Sequence, residues 1–225
     1  MNNFIYENKT KVYFGKGGVK EFLCSVLKNY GKTVMLAYGG GSIKKNGIYD
    51  EINSVLKCAG KTVIDFAGIM PNPTYKKVQE GVKIVKENDV DFILAVGGGS
   101  VIDCCKIVSA QAKLDEDIWD MEMTKKTFPT EFVPMGAIVT ASGTGSEMNA
   151  GAVITNEDKK IKAGVFGAQA DFAFLDPEYT MSVPFKQVIS GAFDTLSHAM
   201  ETYFGKPDDN NLSDDINEAI MRGII

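Results

Sequence analysis

The sequence predicts an α/β fold: a parallel sheet covered by helices on both faces, followed by the start of an all-helical region. Three observations predict it. Apolar, β-rich runs alternate with helical patterns of roughly 10–15 residues, the rhythm of βαβ units. The β-rich runs are apolar almost throughout, as strands buried on both faces are. From Phe185 onward every pattern has helical spacing.

Taken in order, "KTKVYF" is a short strand that runs into a glycine turn. "FLCSVLKNYG" has helical apolar spacing, with Gly31 the expected C-terminal cap. "KTVMLAYGGGS" is a strand ending in glycines, "YDEINSVLKCAG" a helix closed by Gly60, and "KTVIDFAG" a further strand. "MPNPT" is a loop whose Thr74 caps the helix "YKKVQEGVKIVKEND". "VDFILAVGGGS" repeats the strand-to-glycine pattern and leads into a helix expected to begin near Val101. "VPMGAIVTASGTGSE" is another strand with a small-residue end. "GAVITNEDKKIKAGVF" reads as a hairpin around "NEDKK", and "DFAFLDPEYTMSVP" as a last strand and a turn. Two helices follow, around a loop at "KPDDNN", the second with Ser213 as its expected N-cap. A domain boundary falls near Ser182–Pro184, giving an α/β domain over 1–183 and a helical start over 184–225. The last helix stops at Ile225 on an apolar pair, so most of a helical domain is expected to be missing.

Composition narrows the function classes. With 44% hydrophobic and 24% charged residues the chain is of ordinary globular type. A net charge of −5 argues against nucleic acid and anionic membranes as partners. No apolar run approaches a membrane span and the N-terminus lacks a signal core, so a cytoplasmic location is expected. Cys24, Cys58, Cys104 and Cys105 form no C-x-x-C pair and read as reduced packing residues.

Chemistry concentrates at strand ends. Gly39-Gly40-Gly41-Ser42, Gly97-Gly98-Gly99-Ser100 and Thr140–Ser146 each follow an apolar strand. Ligands of open α/β sheets bind at the carboxyl ends of strands, where glycine lets a phosphate approach bare backbone and the next helix offers free N–H groups. Convergence of these ends predicts nucleotide or phosphate binding, although the G-x-G-x-x-G fingerprint is absent. Asp103 either caps helix N–H groups or accepts a hydrogen bond from a ligand. No acid stands between Tyr38 and Lys45 to repel a 2′-phosphate, and Lys44 and Lys45 are close by, which leans towards NADP over NAD. Asp194 and His198, four residues apart on a helix, share one face and can grip a metal ion between them. His198 is the chain's single histidine, which argues against Ser/His/Asp and Cys/His nucleophilic chemistry.

With "GGGSVID", "TASGTGSE", "LDP" and "GAFDTLSHAMETY" in that order, the chain resembles the iron-containing (group III) alcohol dehydrogenases, closest to their butanol dehydrogenase branch. The resemblance runs from about Asn3 to Ile225. It implies a Rossmann-like dinucleotide domain followed by a helical, metal-binding domain of dehydroquinate synthase-like fold. It places Gly97, Gly98, Gly99, Ser100 and Asp103 along the pyrophosphate, and Thr140, Ser142 and Thr144 at the nicotinamide half, with Asn149 and Val153 nearby. Lys160 matches a lysine on the cofactor ribose, Gly39, Gly40 and Ser42 the adenosine-ribose end, and Asn72 a loop beside the cofactor. Asp194 and His198 match the first two ligands of a divalent metal: Fe(II) by resemblance, with Zn(II) or Mn(II) also suited to such ligands. The family's two further histidines have no counterpart after His198. The implied reaction is hydride transfer between NADP (or NAD) and a primary alcohol or aldehyde such as butanol or butanal, in a homodimer when full length. Glycerol dehydrogenase or dehydroquinate-synthase-like chemistry on the same scaffold, and an inactive nucleotide-binding fragment, are the alternatives.

Overall fold

The computed structural model describes residues 3, 5, 7–206 and 211–225. The chain divides into two units, Met1–Met181 and Ser182–Ile225. The first is built on a six-stranded sheet in the order β1-β8-β5-β4-β2-β3, with every neighbouring pair parallel. These strands are β1 (Lys11–Phe14), β2 (Thr33–Tyr38), β3 (Thr62–Phe66), β4 (Phe92–Gly97), β5 (Met135–Val139) and β8 (Phe172–Leu175). Between β5 and β8 the predicted hairpin forms as β6 (Gly151–Asn156) and β7 (Ile161–Phe166), an antiparallel pair outside the main sheet.

The continuous apolarity of the strands has the expected cause. Val34, Leu36 and Tyr38 of β2 pack on one face with α1 (Gly18–Leu27) and α3 (Ile48–Cys58). Their neighbours Met35 and Ala37 pack on the other, with α4 (Tyr75–Glu87) and α5 (Gly99–Gln111). Both faces are dry, so both sets of alternating side chains are apolar. Aromatic contacts thicken the first face: Phe92 and Phe172 stack with ring centroids 5.6 Å apart. The order of strand addition reverses between β2 and β4, because β2 is followed by the outer strand β3 and the chain then returns to β4 on the other side of β2.

Several local expectations need correction. The first helix starts earlier and ends at Leu27, with Lys28 as its cap, so Gly31 does not cap it. Gly31 is required for another reason: a Cβ there would lie 2.3 Å from the Asp91 side chain, whose Oδ2 accepts the Thr33 N–H at 2.9 Å. The helix expected near Val101 begins two residues sooner, at Gly99. Between α5 and β5 a further helix, α6 (Ile118–Met123), is capped by the Asp117 side chain; its short pattern carries little periodicity. Thr74 does cap α4, accepting from Lys77 N–H at 3.2 Å. Cys104 and Cys105 are fully buried packing residues, whereas Cys58 is exposed and Cys24 half-buried, so these two are not core. The short helices α2 (Ser42–Lys45) and α7 (Pro177–Thr180) close the loops after β2 and β8.

The second unit consists of α8 (Phe185–Tyr203) and α9 (Leu212–Ile224), packed on each other. Ser213 is not the N-cap of α9. Asn211 is: its side chain accepts from Ser213 N–H at 2.8 Å while Asp214 reaches back to the Asn211 N–H at 3.0 Å, a reciprocal capping box. The expected loop before it falls mostly on residues 207–210, outside the described residues. No helix among the described residues is long and apolar enough to cross a membrane.

Candidate functional site

The carboxyl ends of β2, β4 and β5 carry the three small-residue loops, beside the point where the order of strand addition reverses. After β4 the chain enters α5 directly. The N-cap is Gly98, extended and without a side-chain cap bond, so the first N–H groups of α5 meet no capping side chain. The glycines here are dictated by contact. A Cβ on Gly97 would lie 2.5 Å from Val101 Cγ2, one on Gly98 3.3 Å from Ala141, and one on Gly99 2.4 Å from Thr144 Oγ1. The β4 and β5 loops therefore touch, and Thr140 N–H donates to the Gly97 carbonyl at 3.1 Å. Ser142 and Thr144 are exposed on the same loop. After β2, Gly39 packs under the Ile69 carbonyl, and Gly41, with φ of 98°, turns the chain into α2 and Ser42.

A polar network beneath these loops escaped the sequence reading. Lys106 of α5 is fully buried, yet its ammonium donates to Gly151 O at 2.7 Å and Asn149 Oδ1 at 3.0 Å. Asp103, one turn earlier, stands 3.9 Å from the same nitrogen. Asp103 caps no helix, contrary to one of its expected roles. Its Oδ1 accepts a short bond from Ser146 Oγ and its Oδ2 accepts Val153 N–H at 3.0 Å. Asn149 Nδ2 returns to the Gly145 carbonyl at 3.1 Å. Together these bonds tie the loop after β5 and the start of β6 to one face of α5. Burial pulls the Lys106 ammonium down to about 8, with the Asp103 carboxylate opposing that shift.

The β6–β7 hairpin is tied down at further points. Lys162 Nζ donates to Asn72 Oδ1 at 2.7 Å, and Thr155 N–H to the Pro73 carbonyl at 2.9 Å. Buried Glu122 of α6 accepts Phe166 N–H at 2.8 Å through Oε2, while its Oε1 has no hydrogen-bond partner; burial raises its pKa. Lys160 stands at the exposed hairpin turn in a left-handed conformation, φ 54°. Lys44 lies over the Tyr49 ring at 4.4 Å, so it is not simply a solvated helix residue.

In the second unit, Asp194 Oδ2 and His198 Nε2 are 3.7 Å apart on α8, both largely exposed. A carboxylate and an imidazole bonded to one divalent ion at about 2.0–2.2 Å each end up roughly 3 Å apart, within reach of a small rotamer change. The donor chemistry therefore fits two ligands of such an ion. Among the described residues no group of three or more His, Cys, Asp or Glu that could hold a metal ion comes together.

The sheet order and the helices on both faces define a doubly wound α/β protein. Comparison with known proteins narrows this. A profile of the iron-containing alcohol dehydrogenases matches residues 9–177. The chain belongs to that family. It is 47% identical over 228 residues to a probable NADH-dependent butanol dehydrogenase 1 of Bacillus subtilis, covering 100% of this chain and 58% of the relative. It is 40% identical to the NADPH-dependent aldehyde reductase YqhD of Escherichia coli, again covering 100% of this chain and 58% of the relative. The crystal structure of an NADH-dependent butanol dehydrogenase A from Thermotoga maritima superposes with a TM-score of 0.90 at 39% identity, over 100% of this chain and 56% of that one. The chain thus spans a little over half the length of these relatives.

Proposed function

We propose that this chain is the cofactor-binding part, with half of the metal ligands, of an NAD(P)- and metal-dependent alcohol dehydrogenase or aldehyde reductase acting on primary alcohols and aldehydes such as butanol and butanal. One observation carries the reading: the Gly97–Ser100 loop lies against the Thr140–Ser146 loop at the carboxyl edge of the parallel sheet, next to its switch point. In this reading residues 1–183 bind the dinucleotide and 184–225 begin the metal-binding domain. The N–H groups at the start of α5 and the glycine backbone receive the pyrophosphate. Thr140, Ser142 and Thr144 orient the nicotinamide half, with Asn149 and Val153 beside it. Lys160 reaches the cofactor ribose, Asn72 borders the cofactor, and Gly39, Gly40 and Ser42 hold the adenosine-ribose end. Asp103 lines the pyrophosphate and also fixes Ser146 and Val153, because one accepted bond at each carboxylate oxygen leaves further lone pairs for a ligand donor.

NADP is the favoured cofactor, because the loop after β2 carries no acid to repel a 2′-phosphate. The names of relatives divide on this point between NADH and NADPH. Asp194 and His198 hold the divalent ion, Fe(II) by family. When bound, the ion supplies Lewis acidity that polarises the substrate oxygen, and the nicotinamide supplies the hydride. The chain's own part is alignment of the reacting carbon with the ring. A cytoplasmic homodimer is the proposed form of the whole protein.

Two measurements test this. Fluorescence titration of the 225-residue chain with NADPH and NADH reads cofactor binding and preference; absence of saturable binding by either defeats the proposal. Oxidation of NADPH by butanal, and reduction of NADP+ or NAD+ by glycerol, each with the longest protein the coding sequence specifies, read the reaction. Turnover of glycerol with inertness towards butanal moves the assignment to glycerol dehydrogenase.

A further inference from the structure

Cys24 and Cys58 lie 34 positions apart in sequence, yet their Sγ atoms are 3.9 Å apart across the seam between α1 and α3. We propose that this pair is an oxidation site that closes to an intramolecular disulfide under peroxide and reopens with a dithiol reductant. The seam is defined by two contacts. Lys20 Nζ meets Glu51 Oε2 at 3.0 Å in the first turn of each helix. The thiols meet one turn further along α1 and about two turns further along α3. The helices therefore run alongside each other, held at one end by an ion pair and carrying the sulfurs at the other. Leu23 and Leu27 of α1 and Ile52 and Leu56 of α3 are fully buried beneath the seam and fix its spacing. A disulfide needs about 2.05 Å between sulfurs, which requires a movement of about 2 Å, the scale of a χ1 rotation.

Access sets the order of events. Cys58 is exposed and Cys24 half-buried. The Cys58 thiolate attacks one oxygen of hydrogen peroxide; the O–O bond breaks, hydroxide leaves, and Cys58 becomes a sulfenic acid. The Cys24 sulfur then attacks the Cys58 sulfur, and the S–O bond breaks. The departing hydroxide leaves as water with the thiol proton of Cys24. In total, two thiols and one peroxide give one disulfide and two waters. Burial raises the Cys24 thiol, and so does its bond to Cys58. Closure therefore quickens as pH rises. Cys104 and Cys105 are fully buried, and burial pushes Cys104 up to about 12; they are internal controls that stay reduced.

The test treats the native chain with hydrogen peroxide, alkylates it in denaturant and digests it with trypsin. The expected product joins peptide 21–28, EFLCSVLK, to peptide 58–61, CAGK, in a single chain. Cys104 and Cys105 are recovered alkylated, and dithiothreitol abolishes the linked species. Closing this loop raises Tm by about 5–10 °C. In Cys24→Ser the link is lost and Cys58 accumulates as a sulfenic acid trapped by dimedone, which the wild type does not show. Recovery of the two peptides unlinked, with Cys58 reduced or over-oxidised, overturns the proposal. Linkage only between separate chains overturns it as well. Both outcomes are read on the wild-type protein, whatever the folding of the variant.

Discussion

Replacing Lys106 by methionine isolates the network under the loop after β5. Methionine keeps most of the apolar stem and removes the ammonium. Two hydrogen bonds vanish, to Gly151 O at 2.7 Å and Asn149 Oδ1 at 3.0 Å, and Asp103 loses the cation 3.9 Å away. Hydrogen bonds to a charged group contribute about 1.5–3 kcal/mol each, and part of that is offset because the buried ammonium no longer has to be desolvated. The expected net loss is about 2–3 kcal/mol, a fall in Tm of about 5–10 °C for a chain of this size. The pH dependence gives a second readout. The folded state holds Lys106 at about 8, below its usual 10.5, so the unfolded chain binds more protons between those values. Stability from this group therefore rises as pH climbs from about 8 towards 10.5, and the cost of burying its charge is fully present below 8. Lys106→Met lacks that rise. Thermal and urea unfolding followed by circular dichroism at pH 7 and pH 10 measure both effects. A variant within about 1 °C of the wild type, with an unchanged pH slope, refutes the role assigned to Lys106.

Other substitutions probe separate contacts. Glu122→Gln keeps the acceptor for Phe166 N–H and removes a buried charge whose pKa burial has raised. The wild type loses stability as pH rises through the window above 4.5, and the variant does not, so at pH 7 it is as stable or about 1 kcal/mol more stable in urea titrations. Gly99→Ala drives a methyl into Thr144 Oγ1, at 2.4 Å, and must displace the loop after β5; NADPH affinity falls about tenfold or more by fluorescence titration, with the far-ultraviolet spectrum retained. Tyr179→Phe removes the 2.6 Å bond from the phenol to Glu51 and lowers stability by about 1–2 kcal/mol in urea.

What the sequence revealed was what local pattern controls. The central strands β2, β4 and β5 were legible because both of their faces are dry, and Thr74 was legible because a cap acts three residues away. Gly31 misled because its constraint is tertiary: the Asp91 carboxylate that needs the space belongs to another loop. Asn211 lost to Ser213 although its partner Asp214 sits at capping-box spacing, so there the signal was present and passed over. In the candidate site, the glycine loops were readable from strand-end position. Lys106 was not, since nothing in "CCKIV" says that the lysine amine is buried and finds its acceptors 43 and 45 residues away. Asp103 was singled out for its place near a helix start, and its partners, 43 and 50 residues on, could come only from the fold. The Asp194–His198 pair followed from helical spacing alone.

The pairing of β1 with β8 has a consequence for how the chain acquires its shape. Lys11 lies opposite Phe172, so β1 meets this neighbour only after about 160 further residues have been made. At typical rates of synthesis that is a wait of about 10–30 s. Its unsatisfied edge, with Val12 and Phe14 facing outward, is open to solvent and to other nascent chains throughout. The β2–β3–β4 units, whose partners lie close in sequence, can assemble meanwhile. Pairing β1 with β8 therefore closes a loop of about 160 residues, with a correspondingly large loop-closure entropy.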